Sequence, residues 1–396
     1  MTDTTTVTEG GSLLARACEE LWQAVRERDE YAAGQAVFSA LAAGASAEDV
    51  LLEVIAPVQR RVGGEWAAGR FTVAQEHAAT AIHDRIIAAM AHRAETLGAS
   101  GASGASASAV PSAAGSAPVA AAGVEPVAAA GSVTVACVDG EWHSLPARLL
   151  AEVLRHRGHR VDFLGAKVPT PHLIAHLHQT APDAVALSSS IPVRLPGAHA
   201  AITAVQAIGI PVLVGGAAFG PDGRYARLLG ADAWAPDARA AAGLLAQGLP
   251  RPATGAVRQT VEDLPHLSDQ EYTLVLRNKR QLVKNTLTGL EERLPAVRAY
   301  TDAQRDRTAE DVVHILDFLT TALYMDDAEL FTGFLDWTGD VLEARHVPAG
   351  VLDPGLAILQ EELKDFPRAL RILTRGRAAL RGRDARPPFP GPRHDA

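Results

Sequence analysis

Val133-Thr-Val-Ala-Cys-Val138, then Asp-Gly-Glu-Trp-His143-Ser-Leu-Pro146, then the helical stretch Leu145–His156, is the part of the chain on which the fold turns. The first run is apolar, rich in β-branched residues and of strand length, and the periodicity after it is helical. The alternation repeats downstream. Val161–Leu164 precedes a helical stretch near His172–Gln179, and Ala184–Leu187 precedes one near Ala198–Ile208. Val212–Val214 follows, and then Ala231–Trp234 with a helix at 238–248. Five short apolar runs separated by helical patterns predict a parallel sheet covered on both faces, spanning 132–250. A ligand of such a sheet sits at the carboxyl ends of its strands.

On either side the pattern changes. Residues 98–131 are nearly all Ala, Ser, Gly, Pro and Val, with the single charge of Glu125. They lack the large side chains that would offset chain entropy and read as a flexible linker. Residues 11–97 read as helices, with Leu13, Leu14, Ala17, Leu21 and Val25 at helical spacing, and again Val37, Leu41, Val50, Leu51, Val54, Ile55 and Val58. A third segment, Thr72 to Leu97, carries Ile82, Ile86 and Met90 on one face, so a bundle of about four helices is expected. Residues 262–385 lose the strand signals. Helical periodicity returns at Val312–Met325 and at Leu330–Leu342, with Asp327 before the second run and Pro348 after it. A third, all-helical domain follows, and the Arg- and Pro-rich tail after Gly376 is expected to be disordered.

The whole is multidomain, α and α/β: a helical bundle, a flavodoxin-like doubly wound domain, and an all-helical C-terminal domain. With 396 residues, 47% of them apolar and 21% charged, the chain has ordinary globular composition. Its 37 basic against 46 acidic residues, a net charge of −9, argue against direct nucleic-acid binding. Cys18 and Cys137 are too few for a disulfide framework and fit a reducing cytoplasm. No signal peptide is visible, and the Ala-rich run at 118–130 is broken by Gly123, Glu125 and Pro126, so no membrane span is expected.

Chemistry concentrates at the predicted strand ends. His143 on the loop after the first strand can present its imidazole to a ligand, and Glu141 two positions earlier can hold the other ring nitrogen. Ser188-Ser189-Ser190 ends the third strand and Gly215-Gly216 the fourth. Small and hydroxyl side chains there leave a channel between strand ends. Forty-one residues separate Pro146 from Ser188. This set resembles the cobalamin-binding motif Asp-x-His-x-x-Gly, a spacer, Ser-x-Leu and a Gly-Gly pair, with Glu141 for Asp, Pro146 for Gly and Ser190 for Leu. The resemblance covers roughly 132–250. It implies His143 as the lower cobalt ligand, Glu141 as the partner of that imidazole, and Ser144, Ser188, Ser190, Gly215 and Gly216 as contacts of the cofactor. Six further histidines, from His156 to His199, read as surface or helix-face residues.

In the bundle, Trp66 is followed after nine residues by Glu76-His77. This pattern resembles the cap of CarH-like light receptors, where it implies a Trp packed over the upper axial group and Glu and His contacts to the adenosyl group of adenosylcobalamin. Those receptors carry a DNA-binding helix-turn-helix before the bundle and a His directly after the Trp. This chain starts almost directly with the bundle and has Ala67 there, leaving His77, His83 or water for the upper cobalt position after photolysis.

The C-terminal domain has no phosphate loop, no Ser-His-Asp set and no cysteine. Its stretch Tyr324-Met-Asp-Asp-Ala-Glu-Leu-Phe331, continuing to Trp337 and Arg345, resembles the domain that binds biliverdin in photocobilins. The resemblance implies a bilin held non-covalently. His314, Asp317, Tyr324, Trp337 and Arg345 have suitable chemistry to contact it. The expected function is a light sensor, not an enzyme, signalling through a change of homo-oligomeric state to an unidentified downstream partner. The alternative is a corrinoid carrier serving a methyltransferase; a cobalamin-dependent mutase would need a substrate barrel that this length does not supply.

Overall fold

A computed structural model describes residues 4–103, 131–252 and 264–384. The N-terminal unit holds α1 (Thr4–Glu27), α2 (Glu30–Ala42), α3 (Ala47–Asp49), α4 (Ala56–Ala67) and α5 (Val73–Ser103). Asp29 starts α2 by accepting the Ala32 N–H at 2.9 Å, and Ser46 starts α3 by accepting that of Asp49 at 3.0 Å. Between α3 and α4 the chain keeps turning as a π-helix, Val50–Ile55, which directs Val50, Leu51, Val54 and Ile55 into the core. The last helix corrects the linker boundary: α5 runs on through residues 98–103. The segment is Gly98-Ala-Ser-Gly-Ala-Ser103, and its glycines disfavour a helix, so the continuation follows the preceding turns of α5 rather than the local propensity. The rest of the expected linker, 104–130, lies outside the described residues.

The middle unit alternates β1 (Ser132–Cys137), α6 (Leu145–His156), β2 (Arg160–Gly165), α7 (Thr170–Thr180), β3 (Ala184–Ser188), α8 (Leu195–Ala207), β4 (Val212–Gly215), α9 (Arg224–Leu228), β5 (Ala233–Ala235) and α10 (Ala238–Gln247). All strand pairs are parallel, in the order β2-β1-β3-β4-β5. This is the flavodoxin-like order, and the chain changes direction across the sheet between β1 and β3, which opens a crevice at their carboxyl ends.

The C-terminal unit is all helical: α11 (Glu271–Arg293), α12 (Pro295–Arg298), α13 (Asp302–Met325), α14 (Ala328–Glu343), α15 (Asp353–Glu362) and α16 (Pro367–Asp384). Asp327 caps α14 by accepting the Glu329 N–H at 2.8 Å. The helix α16 corrects the expectation of a tail after Gly376: Gly376 lies inside it and Leu380 is buried. A Cβ at Gly376 would stand 2.7 Å from Phe331 and Leu335 of α14, so this glycine lets two helices approach rather than ending one. Residues 385–396 lie outside the described residues.

Alternate residues of each strand point to opposite sheet faces, and each face joins a different unit. Val133, Val135, Ala186 and Leu213 pack with α6, α10 and the bundle core. Ala136, Val138, Val185, Leu187 and Val214 pack with α8, and there Tyr324 and Met325 arrive from α13. Ion pairs line both seams. Arg157 forks onto Glu48 at 2.8 and 2.9 Å, and Arg239 reaches Glu53 at 2.6 Å and Asp49 at 2.8 Å. On the other side Tyr225 donates to Asp327 at 2.7 Å, and Arg224 to Glu329 at 2.9 Å. Two of the histidines expected on surfaces are instead buried, His159 and His199; His199 Nδ1 lies 2.8 Å from the Tyr324 hydroxyl. That contact joins residues 125 apart in sequence, a separation local periodicity does not reach. Among the described residues no helix is long and apolar enough to cross a membrane.

Candidate functional site

The crevice at the ends of β1 and β3 is organised by one carboxylate. Glu141 is fully buried, a costly place for a charge unless donors surround it. Here they do. Its Oε1 accepts from the backbone N–H of Trp142 at 2.9 Å and of His143 at 3.0 Å, and lies 2.7 Å from His143 Nδ1. Its Oε2 accepts from Ser190 N–H at 2.7 Å, Ile191 N–H at 3.2 Å and the Ser189 hydroxyl at 3.2 Å. One oxygen therefore holds the loop after β1 and the other the loop after β3. Burial pushes the Glu141 carboxyl pKa up, but the hydrogen bonds from His143 and Ser190 outweigh it and hold the value down at about 2.

His143 is thereby oriented. With Nδ1–H donated to Glu141, a neutral imidazole carries its lone pair on Nε2. Nε2 has no partner among the described residues, and the side chain is 42% exposed. Ser144 precedes α6 and its side chain makes no capping bond. Beside His143 the ends of the strands pack backbone against backbone. Ser188 pairs in register with Cys137 and with Gly215, placing the three strand ends side by side. Gly216 has φ +102°, and a Cβ there would lie 2.2 Å from the Ser189 carbonyl oxygen; Gly215 would meet Ala235 O at 3.4 Å. Only glycine permits this approach at position 216. Among the described residues no three His, Cys, Asp or Glu side chains gather as a metal cluster. One imidazole oriented by a buried carboxylate, with Nε2 at the crevice formed by the strand ends, fits the single protein ligand that a corrinoid takes.

The bundle approaches the same crevice. His77, in the first turns of α5, has its ring centroid 6.4 Å from that of Trp142, which lies 4.7 Å from His143. Trp142 is 52% exposed, and the sequence reading passed over it although it sits inside the quoted motif. Glu76 Oε2 lies 2.8 Å from His77 Nδ1. Trp66 ends α4, and its ring lies 6.0 Å from Trp337 of α14. Arg345, just past α14, donates to the carbonyls of Trp66 at 3.1 Å and Ala67 at 3.2 Å, with its guanidinium 5.6 Å from the Trp66 ring. Two residues expected to contact a bilin, Trp337 and Arg345, thus meet a residue expected to contact cobalamin. Tyr324 is taken up by His199 and by the Tyr272 ring at 4.8 Å. His314 is exposed on α13, about 15 Å from Tyr324 along the helix axis. Asp317 pairs with Lys279 at 2.5 Å. His83 is buried, with Nδ1 2.6 Å from Gln59 Oε1.

Two parts of the chain match family models described as B12 binding domains, residues 17–90 and 131–243. The first covers the bundle and the second the α/β unit, so the chain carries cobalamin-binding domains and a corrinoid is the cofactor they indicate. No curated protein matches. Among solved structures, the chain is similar to the monomethylamine corrinoid protein of Methanosarcina barkeri, at 16% identity over 58% of this chain and 97% of that one, with a TM-score of 0.44. It is also similar to a cobalamin-binding protein of Desulfitobacterium hafniense DCB-2, at 18% identity over 57% and 95%, with a TM-score of 0.29. A third is the methanol:cobalamin methyltransferase complex of Methanosarcina barkeri, at 16% identity over 57% and 77%, with a TM-score of 0.27.

Proposed function

We propose that the chain is a light sensor, not an enzyme, holding adenosylcobalamin between the bundle and the α/β unit. The observation that carries the binding mode is the Glu141 carboxylate, which locks His143 with Nε2 directed away from its partner at a crevice lined by backbone. His143 Nε2 would hold the cobalt from below in this reading. Ser188, Ser190, Gly215 and Gly216, with Ser144 beside them, would hold the cofactor's nucleotide tail. Trp66, Glu76 and His77 form the upper wall. The carboxylate of Glu76 can accept hydrogen bonds from ribose hydroxyls, and the aromatic ring excludes water. When bound, the cofactor supplies a light-labile cobalt–carbon bond. The chain's own part is to hold the ligand through an imidazole of fixed tautomer and to join the upper wall to a third unit, through Trp337 and Arg345.

That third contact favours a sensor over a corrinoid carrier for a methyltransferase, since a carrier needs only the two B12-matching regions. The C-terminal unit is assigned a biliverdin held without a thioether, on the strength of its sequence resemblance. Output is a light-driven change of homo-oligomeric state, with no direct contact to nucleic acid and a cytoplasmic location.

The test is an absorption spectrum and a size-exclusion profile of the full chain with adenosylcobalamin, and with added biliverdin, in the dark and after green light. The reading expects a permanent spectral change on illumination, a shift in elution, and a sharpened red band for biliverdin. His143→Ala is expected to weaken cobalamin binding and give a water-ligated dark spectrum. A light-stable elution profile with tight methylcobalamin binding would instead identify a carrier.

A further inference from the structure

The interface between α4 and α5 contains a continuous line of hydrogen bonds that ends on Glu76. Glu76 Oε1 accepts from the Thr80 hydroxyl at 2.9 Å. Thr80 Oγ1 accepts from Gln59 Nε2 at 2.8 Å. Gln59 Oε1 faces His83 Nδ1 at 2.6 Å. The direction of the line follows from its carboxylate end. An ionised Glu76 only accepts, so Thr80 spends its single proton on Glu76 and must accept from Gln59. The Gln59 amide is then oriented, its oxygen turned to His83, and His83 must carry its proton on Nδ1. His83 is fully buried, which pushes its pKa down to about 4 and keeps it neutral. Its Nε2 has no hydrogen-bond partner, as this tautomer leaves a bare lone pair there.

Helix geometry explains why these residues meet. Glu76, Thr80 and His83 stand at i, i+4 and i+7 on α5, one face of the helix. Gln59 and Trp66 are seven apart on α4 and share a face as well. The line thus runs from the buried middle of the bundle to the end where Trp66, Glu76 and His77 stand.

We propose that Thr80 and Gln59 are positioning residues for Glu76, fixing its carboxylate in the one orientation that selects the group above the corrin, with His83 as the buried anchor. This rests on the reading of Glu76 as a contact of that group. A carboxylate with one oxygen held by Thr80 cannot rotate freely, so its second oxygen meets an incoming hydroxyl with its lone pairs already placed.

The test measures dissociation constants of the full chain for adenosylcobalamin and methylcobalamin, and the ratio between them. Thr80→Val keeps the shape and removes the hydroxyl; it is expected to lower the preference for adenosylcobalamin about tenfold, the scale of one hydrogen bond to a charged group. Methylcobalamin affinity and melting temperature are expected to stay near wild type, and Thr80→Ser is expected to restore the preference. A merely structural role would weaken both ligands together. Glu76→Gln separates the two ideas. If it abolishes the preference while Thr80→Val does not, the positioning role is overturned alone. If Glu76→Gln leaves the ratio unchanged, the reading of Glu76 itself fails. A readout without cofactor is the His83 tautomer, from ring 15N shifts of the wild-type protein. A proton on Nδ1 supports the line, and a proton on Nε2 overturns it whatever the variants do.

Discussion

Six donors around a single side chain make Glu141 the residue whose loss is most informative. Glu141→Gln keeps the shape but presents an NH2 group to three donors, leaving buried N–H groups unpaired. We expect a loss of about 3 kcal/mol or more in urea unfolding, together with weaker cobalamin binding. The pH dependence has a definite sign. The folded-state pKa, about 2, lies below the ordinary value of 4.5, so the unfolded chain binds the proton first as pH falls. The stabilisation is complete above about 4.5 and is lost between there and about 2. Melting curves across that window are expected to converge for wild type and variant at the acid end. The pairing of Glu141 with His143 was legible in the sequence from their spacing taken together with the resemblance to the cobalamin-binding motif. The reach of the second oxygen to Ser189, Ser190 and Ile191 was not, because it crosses 48 to 50 residues and depends on β1 and β3 being neighbours.

The elements divide by how local their causes are. The strands and the helix Leu145–His156 follow from short apolar runs and 3.6-residue spacing, and they stand where the sequence puts them. The expectations that failed did so where composition stood in for contact: a small-residue segment, an Arg- and Pro-rich tail, and two histidines, His159 and His199, that tertiary packing buries. The Arg- and Pro-rich composition after Gly376 suggests a disordered tail, yet the helix continues to Asp384 and Gly376 is a packing contact inside it. At Gly216 the glycine is required by the backbone itself, through its positive φ and its approach to Ser189. Two substitutions separate these requirements. Gly216→Ala meets both a carbonyl oxygen at 2.2 Å and a positive φ, and is expected to destabilise by about 2–4 kcal/mol. Gly215→Ala has ordinary φ and its closest contact at 3.4 Å, and is expected to cost about 1 kcal/mol or less. Chemical denaturation of the two variants side by side checks the contrast.

At the scale of the molecule, three units are joined in a ring of contacts: bundle to sheet through Arg157 and Arg239, sheet to C-terminal helices through Tyr225 and His199, and those helices back to the bundle through Arg345. None of these seams was legible in the sequence, since each joins side chains far apart in the chain. Arg345 places a cation at the negative end of α4, where such a charge contributes about 0.3–1 kcal/mol. Arg345→Ala is therefore expected to speed amide exchange at Ala68 and Gly69 by about two- to fivefold, with little change at β1. Hydrogen-exchange mass spectrometry of the cofactor-free chain would detect it; unchanged exchange at the end of α4 would remove Arg345 as a cap.

The same arginine bears on how the protein can be dissected. A fragment ending at residue 252 would keep both regions that match B12 binding domains, and would be the natural choice for an expression trial. It would also lose the guanidinium that adds to the backbone bonds at the end of α4 and the indole against which Trp66 rests. Trp66 would then lose its covering indole, and if its ring selects the group above the corrin as proposed, a ligand preference measured on the fragment would understate that of the intact chain.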